Sequence, residues 1–351
     1  MEFVGAEPVQ LTALDQLIVR ALAANGRDSW ATIAQVVGSS PSTVQRRYAR
    51  LHDMGAIHVV GAVDASATGL GIATMVRIQC GSAATASVVA TLSRRPEVRF
   101  VSTLTGSADC VAEFVVPRLA DLERLLQELL ADPSIRTEAV PVLRTFTVPF
   151  DAFPGALEGA GEIGWKAATE YTGNAVAPNL EAIEGVVPAR THLNSLERAV
   201  VEILIPDGRT PLIDVARAIS RSEATTRRVI DELLFSGRLR IGPLLAPHLL
   251  SIETELMLWI SVSPDQLGAA ARQLAQHSAV HYAAAAAGRY NLIGQVFLAD
   301  FADLYDFTTH VLGALPGVRE VDLTIQMTTH KRMWTPIVDS RFVPISRSSS
   351  A

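Results

Sequence analysis

Hydroxyl, amide and guanidinium side chains share one segment of the sequence, residues 40–54. The side chains there that could contact a base edge or a phosphate are Ser42, Thr43, Gln45, Arg46, Arg47 and Arg50. In a helix with about 100° between residues, most of them lie opposite the apolar Val44, Tyr48 and Leu51. Arginines on such a face can bind guanine edges or phosphate oxygens. The pattern predicts a nucleic-acid-binding face; a solvated basic helix is the alternative that the helix alone leaves open.

The flanking residues predict the helices that position this face. Ser40 suits an N-cap, Pro41 the first helical position and Gly55 the end of the helix. Two helical segments precede it, and Asn25-Gly26 is interpreted as a left-handed cap at the end of the first. Two helices joined by a tight glycine turn form a helix-turn-helix. The apolar segment 57–64 that follows is predicted to be a β-hairpin.

The same pattern recurs 182 positions later in the chain (208 − 26). Leu14, Gly26, Thr43, Arg46, Gly55 and Gly106 return as Leu196, Gly208, Thr225, Arg228, Gly237 and Gly288. A unit of this length is too long for a solenoid repeat and indicates a tandem pair of domains. Differences between the two copies therefore carry information about function.

Composition restricts the class of protein. The chain has 351 residues, of which 49% are apolar and 19% charged, and a net charge of −6. This length accommodates several globular domains, and the acidic balance argues against a general nucleic-acid coat protein. With no long apolar run and no basic leader, we expect a cytoplasmic protein without a membrane partner. Cys80 and Cys110 lack metal-ligand spacing and are predicted to pack in the core, so we expect no metal and no other cofactor.

Together these residues resemble the Lrp/AsnC family, the feast/famine transcription factors. The resemblance rests on Leu14-Asp15, Gly26-Arg27, Ile33-Ala34, the segment 40–46 and Gly55-Ala56-Ile57. It implies an α+β fold in tandem, with two winged, three-helix helix-turn-helix domains and two ferredoxin-like βαββαβ sandwiches of the RAM type. Segments that alternate like strands or repeat like helices follow that order in both copies.

The predicted domains follow from the repeat and from local composition. They are a helix-turn-helix domain at 8–62, a sensing and dimerisation domain at 63–149, a Gly-, Ala- and Pro-rich linker at 150–190, a second, degenerate helix-turn-helix domain at 191–245, a second sensing domain at 246–335 and a tail at 336–351. Residues 347–351 are predicted to be disordered.

The two predicted recognition helices differ in charge. Residues 40–54 carry a net charge of +2, whereas residues 222–236 carry −1, and Glu232 stands where the first copy has Arg50. Because phosphate contacts supply much of protein–DNA affinity, the first copy is predicted to bind double-stranded DNA and the second mainly to preserve fold or pairing. Weaker DNA contacts in the second copy are assigned to Thr225, Arg227 and Arg228. Alternatively, Glu232 pairs with Arg228 and this helix still docks.

The resemblance also implies partners. Family members pair through their sensing domains, so a tandem chain is expected to form an intramolecular pseudo-dimer. Such chains are expected to associate further into a homodimer or a higher oligomer and to bind a palindromic site.

A small effector, such as an amino acid, is implied beside a Gly-x-x-Asp turn. The corresponding residues are Gly106 and Asp109 in the first copy and Gly288, Tyr290 and Asn291 in the second. Asp109 could pair with an ammonium group. Equally, the glycine can serve the turn and the Asp or Asn side chain can cap it, and both interpretations stay open.

An enzyme is the alternative of a different class. Siroheme decarboxylases resemble this family and also occur as fused pairs, and they need histidines and arginines that converge in a sensing-domain cleft. The residues available for this chemistry are His277, His281, Arg289 and His310. A nucleophile elbow, a phosphate loop and a Rossmann fingerprint are all missing from the sequence, so the prediction is a regulator and not an enzyme.

Overall fold

The computed structural model of the protein describes residues 11–129, 132–150, 192–246 and 252–343. The predicted linker, apart from Phe150, and the predicted disordered end lie outside these residues. Within them, no helix is both long enough and apolar enough to cross a bilayer.

The first helical unit consists of three short helices. They are α1 (Ala13–Ala24), α2 (Trp30–Val36) and α3 (Pro41–Asp53). The Ser40 hydroxyl accepts a hydrogen bond from the Thr43 backbone N–H, and Pro41 occupies the first turn of α3. Gly55 follows the helix with a left-handed φ of 66°. The predicted ends of α3 are therefore confirmed.

The first αβ unit follows a strand and one helical turn. The chain passes through β1 (Ile57–Ala62) and α4 (Ala65–Thr68), and the unit then comprises β2 (Ile72–Gln79), α5 (Ser82–Ser93), β3 (Val98–Leu104), β4 (Cys110–Val116), α6 (Leu119–Leu129) and β5 (Arg136–Thr145). Its antiparallel strands are ordered β3-β4-β2-β5. This is the predicted βαββαβ arrangement.

The second half of the chain has the same order of elements. Its helical unit is α7 (Ser195–Leu204), α8 (Leu212–Ala218) and α9 (Glu223–Phe235), followed by β6 (Arg240–Leu245), and its αβ unit is β7 (Thr254–Val262), α10 (Leu267–Ala275), β8 (Val280–Ala286), β9 (Leu292–Leu298), α11 (Asp303–Asp306) and β10 (Val318–Arg332). A π-helical turn, Phe307–Val311, extends α11.

Strand β1 joins the two helical units, and the predicted hairpin at 57–64 is wrong. All six residues of β1 are buried, and β1 pairs antiparallel with β6 from Ile57 opposite Leu245 to Ala62 opposite Arg240. Gly61 makes no turn. A Cβ atom at this position would lie 2.8 Å from the Leu204 carbonyl oxygen, so glycine permits close contact with α7.

The two αβ units close into one barrel. Strand β5 pairs with β8, and β10 pairs with both β3 and β7. The fourth strand of each unit thus pairs with the second strand of the other unit. An apolar cluster that includes Met75, Phe100, Trp259 and Ile293 lies between the two sheets. Such pairing fixes the two αβ units relative to each other.

The C-terminal residues form a hairpin that reaches the first helical unit. Strands β11 (Thr335–Val338) and β12 (Arg341–Phe342) lie in the region that the sequence assigned to a tail. Ile337 and Phe342 are buried in the core of the helical units, and this burial holds the hairpin against them. The Phe342 backbone N–H donates to the Gly55 carbonyl at 2.8 Å, directly after α3.

Separate apolar cores stabilise the helical pair and the outer face of each sheet. Cys80 and Cys110 are free thiols in the core of the first αβ unit, as predicted. Burial raises the pKa of Cys110 to about 12, with a further contribution from Cys80. The molecule is an α+β protein with helix-turn-helix units and ferredoxin-like sandwiches.

Candidate nucleic-acid interface

The outward face of α3 carries the side chains that the sequence assigned to DNA. Ser42, Gln45, Arg46 and Arg50 are exposed, whereas Thr43 and Arg47 are half-buried. Arg46 forms no ion pair with any described residue, so its guanidinium is available to a ligand. The structure brings these residues onto one helix, and their contact with DNA stays a prediction.

A buried carboxylate on α1 holds two of the three arginines. Asp15 is fully buried and also forms a capping box with Thr12. Arg47 Nη1 lies 3.1 Å from Asp15 Oδ1, and Arg50 Nη2 lies 3.5 Å from Asp15 Oδ2. These bonds fix α3 against α1, and they orient Arg47 and Arg50 while partly neutralising them.

The corresponding helix of the second unit, α9, has lost this arrangement. Arg228 Nη1 and Glu232 Oε1 form an exposed ion pair at 2.9 Å along the helix. The position equivalent to Arg47 is Val229, which is buried. Arg227 is exposed, and the Thr225 hydroxyl bonds to that of Ser222. The outward face of α9 therefore has no excess positive charge, because three acids stand against its two arginines.

The acid on α7 is neutralised from outside the recognition helix. Glu197, the counterpart of Asp15, forms a capping box with Asn194 and lies 2.8 Å from Arg238, which follows α9. Its pKa is lowered by these hydrogen bonds in spite of desolvation, which is the largest influence and acts to raise it. The second unit thus keeps its capping acid paired without using an arginine of α9.

Two Gly-Arg pairs join the helical units, a role that the sequence analysis missed. Arg27 Nη1 donates to the Gly208 carbonyl at 2.8 Å, and Arg209 Nη1 donates to the Gly26 carbonyl at 2.6 Å. Burial lowers the pKa of both arginines, yet they stay charged. The repetition of Gly-Arg in both copies was the available signal.

Glycine stands at this position in both copies, as Gly26 and Gly208. Gly26 allows the backbone to approach the other helical unit closely, and it does not form a left-handed cap. The residue that caps α1 is Asn25, with an extended φ of −153°. A Cβ atom on Gly26 would lie 2.7 Å from the Ile241 carbonyl oxygen across the interface. The predicted left-handed cap is therefore wrong, because the space for a side chain is taken by the other unit.

The two predicted effector loops use their Asp and Asn side chains to cap backbone. Asp109 Oδ2 accepts hydrogen bonds from the N–H groups of Cys80 and Gly81 at 2.7 and 2.9 Å. Asn291 binds both the N–H and the carbonyl of Val262, at 2.8 and 2.9 Å. These contacts correspond to the capping interpretation, and an effector role for either residue stays a prediction.

The glycines of the two loops differ in conformation. Gly106 has a φ of 85°, in the left-handed region that favours glycine, whereas Gly288 does not. A Cβ atom on Gly288 would lie 3.2 Å from Val140 of the other unit. Gly106 therefore serves its turn, and Gly288 lies at the contact between sheets.

Arg77, which the sequence analysis missed, lies between the sheets near both loops. Its guanidinium binds Ser107, Asp322 and Glu138, the last at 3.3 Å, and it lies over the rings of Trp259 and Tyr290 at 4.8 and 5.2 Å. The equivalent position in the second copy is Trp259. Acidic side chains and aromatic rings of the protein itself thus surround the Arg77 guanidinium.

The Tyr290 ring is buried, and its hydroxyl donates to Glu320 Oε1 at 3.2 Å. Glu320 also pairs with Arg289 at 2.6 Å. Desolvation raises the pKa of Tyr290, and Asp322 and Glu320 add to the effect. Within the described ranges, no three His, Cys, Asp or Glu side chains are grouped so that they could hold a metal ion.

Comparison with known proteins identifies the domain types. The AsnC-type helix-turn-helix domain matches residues 11–52, and the Lrp/AsnC ligand binding domain matches residues 73–148 and 255–335. An uncharacterised HTH-type transcriptional regulator of Pyrococcus abyssi is 32% identical over 124 residues, which are 35% of this chain and 78% of that protein. The HTH-type transcriptional regulator LrpA of Mycobacterium tuberculosis is 30% identical over 138 residues, 39% of this chain and 92% of LrpA.

Among solved structures, the siroheme decarboxylase NirDL has the same fold along nearly the whole chain. The TM-score is 0.59 at 15% identity, and the match covers 92% of this chain and 93% of NirDL. At this identity the likeness extends to the fold alone. The matches to the domain models and to the regulators carry the assignment: the chain belongs to the Lrp/AsnC family.

Proposed function

We propose that the protein is a DNA-binding transcriptional regulator that contacts double-stranded DNA through α3. The observation that carries this proposal is the difference between Arg46, exposed and without an ion pair to a described residue, and Arg228, paired with Glu232. The regulators that the chain resembles support the same function. A recognition helix needs cations that are not already neutralised.

The same proposal includes a tandem duplication in which one polypeptide forms a pseudo-dimer. Its support is the β1–β6 pairing, the reciprocal Gly-Arg contacts and the closed barrel of eight strands. Two such chains in a homodimer would present two copies of α3 to a palindromic site. A small effector, such as an amino acid, modulates binding in this scheme.

The test is a titration of the whole chain against DNA from upstream of its own coding region, at several salt concentrations. For Arg46→Glu we expect affinity to fall about 100-fold and the salt dependence to weaken, because a phosphate or base contact is replaced by repulsion. For the matched variant Arg228→Glu we expect a change within about threefold. Wild-type affinity in a folded Arg46→Glu protein would contradict the proposal.

A siroheme decarboxylase-like enzyme is the second candidate, since NirDL shares the fold along nearly the whole chain. Against it, the four residues considered for catalysis have separate partners. His277 packs on Phe307, His281 stacks on Phe297, and His310 lies 3.6 Å from Asp306 on the surface, while Arg289 pairs with Glu320. Copurification of siroheme, measured by its visible absorption, together with no specific DNA binding, would favour the enzyme.

A further inference from the structure

A large cavity lies between α5 of the first αβ unit, α7 of the second helical unit and the C-terminal hairpin. Its volume is about 1390 Å³, which exceeds that of many small-molecule sites. Val89, Val115, Ile205 and Ile337 form much of its apolar wall. The cavity is distinct from the loops at Gly106 and Gly288, since neither loop lines it.

Cations lie at the end of the cavity next to the last turn of α5. Lys331 is 4% exposed, and its Nζ donates to the Arg95 carbonyl at 2.7 Å, so one of three ammonium donors has a described acceptor. Arg94 is exposed and forms no ion pair with a described residue. The nearby Glu97 is paired with Arg95 at 3.2 Å. This end of the cavity therefore carries excess positive charge.

The opposite wall is balanced in charge. Arg198 and Glu202 both line it from α7, and Arg198 Nη2 donates to the Gly69 carbonyl at 2.6 Å. An anionic group would therefore be attracted to the Lys331 end, and the apolar wall would accept the remainder of the ligand. Burial lowers the pKa of Lys331 to about 8, which leaves the ammonium largely charged at neutral pH.

The polar and aromatic residues that line the cavity from β10 and the turn after it have no counterparts of the same type in the first copy. His330, Lys331 and Trp334 line the cavity from the end of β10 and the following turn. With the offset of 182 positions, the first copy has Val148, Pro149 and Ala152 there. The indole N–H of Trp334 donates to the Pro96 carbonyl at 3.0 Å, which joins this turn to the end of α5.

We propose that this cavity binds an apolar carboxylate, with its hydrophobic body against Val89, Val115 and Ile205 and its carboxylate at Lys331 and Arg94. A carboxylate there makes charge-assisted hydrogen bonds in a largely apolar surrounding. The site is independent of the DNA contact on α3. It nevertheless adjoins the hairpin whose last strand bonds to Gly55.

The probe is cis-parinaric acid, a polyene fatty acid whose fluorescence rises in apolar surroundings, titrated into the whole chain. We expect saturable binding to one site, with displacement by palmitate. Ala86→Trp, on the cavity face of α5, should weaken binding about tenfold or more by filling the space. Ala83→Trp is the matched control, because Ala83 is exposed on the same helix but does not line the cavity.

The charge requirement is tested with Lys331→Met, which keeps most of the side-chain volume. Carboxylate affinity should fall about tenfold, whereas displacement by hexadecanol, which has no charge, should stay within about twofold of wild type. Non-saturable fluorescence, or equal affinities for Ala86→Trp and Ala83→Trp, would overturn the proposal. Since neither result involves DNA, each is separable from the fate of the proposed regulator.

Discussion

Helices α3 and α9 begin in the same way and present different surfaces. Each has a serine N-cap, Ser40 or Ser222, whose hydroxyl accepts from a threonine N–H at 3.2 Å. In the first unit the acid on α1 is neutralised by arginines of α3, whereas in the second unit Arg238 takes that role. Once the cap is satisfied from elsewhere, the exposed face of α9 is free to lose its positive charge without loss of the fold.

The two sheets differ in a comparable way at equivalent positions. Arg99 and Glu113 form an ion pair between neighbouring strands of the first unit, and both side chains are largely buried. The second unit has His281 and Gln295 at the positions 182 residues later. His281 stacks on Phe297, with ring centroids 4.0 Å apart. One sheet therefore depends on a buried ion pair, and the other depends on a histidine that must stay neutral.

Loss of the ion pair should give the largest effect on stability. For Arg99→Met we expect the free energy of unfolding to fall by about 3–5 kcal/mol, because the Glu113 carboxylate stays buried without its partner. The matched variant His281→Met should cost about 1 kcal/mol at pH 7, since it loses the ring contact with Phe297 but leaves no buried charge without a partner. Urea unfolding measures both values. Equal losses would mean that leaving Glu113 without its partner costs no more free energy of unfolding than losing the ring contact of His281.

His281, in the second αβ unit, should make the free energy of unfolding depend on pH. Desolvation, aided by Arg332, lowers the pKa of His281 from 6.5 to about 3 in the folded protein. The unfolded chain therefore binds a proton below pH 6.5 that the folded chain does not. Its contribution to stability is complete above pH 6.5 and is lost progressively as the pH falls towards 3.

The measurement compares wild type with His281→Phe, which keeps the stacking contact. Between pH 7 and pH 5 the wild type should lose about 2 kcal/mol more of its unfolding free energy than the variant. Other groups that titrate in this range act on both proteins and cancel in the difference. Parallel pH profiles would show that His281 is protonated in the folded state at pH 5.

The sequence was sufficient where a local signal determines the structure. The ends of α3 follow from Ser40, Pro41 and Gly55, whose effects act within one helical turn. The order of strands and helices in both αβ units was implied by the family resemblance, and the periodicity of the segments agreed with it. Ser42, Thr43, Arg46 and Arg50 lie opposite the buried Val44 and Leu51 because helical geometry alone places them there.

Long-range contacts were not predictable in this way. Gly26 is typical of a helix cap by residue type, yet its role depends on Ile241, more than two hundred positions away. Likewise, the strand β1 pairs with β6 and makes no hairpin, because its partner comes from the other half of the chain. Arg77 lies in an otherwise apolar strand, and only the closed barrel brings Asp322 and Trp259 to it.

The comparison of α3 with α9 can be sharpened by restoring charge to α9. Glu232→Arg removes the partner of Arg228 and places a cation where the first copy has Arg50. If α9 lies near DNA in the complex, affinity should rise about tenfold and the salt dependence should steepen, because one or two more phosphates can be contacted.

The control for that variant is Asp303→Arg, which changes net charge equally but lies on the exposed start of α11 in the second αβ unit. It should leave affinity within about threefold of wild type, because a distant surface charge is screened by salt. Equal gains in both variants would mean that net charge alone acts on binding. No gain in Glu232→Arg would mean that α9 does not approach DNA, and the second helical unit would then act through pairing with the first.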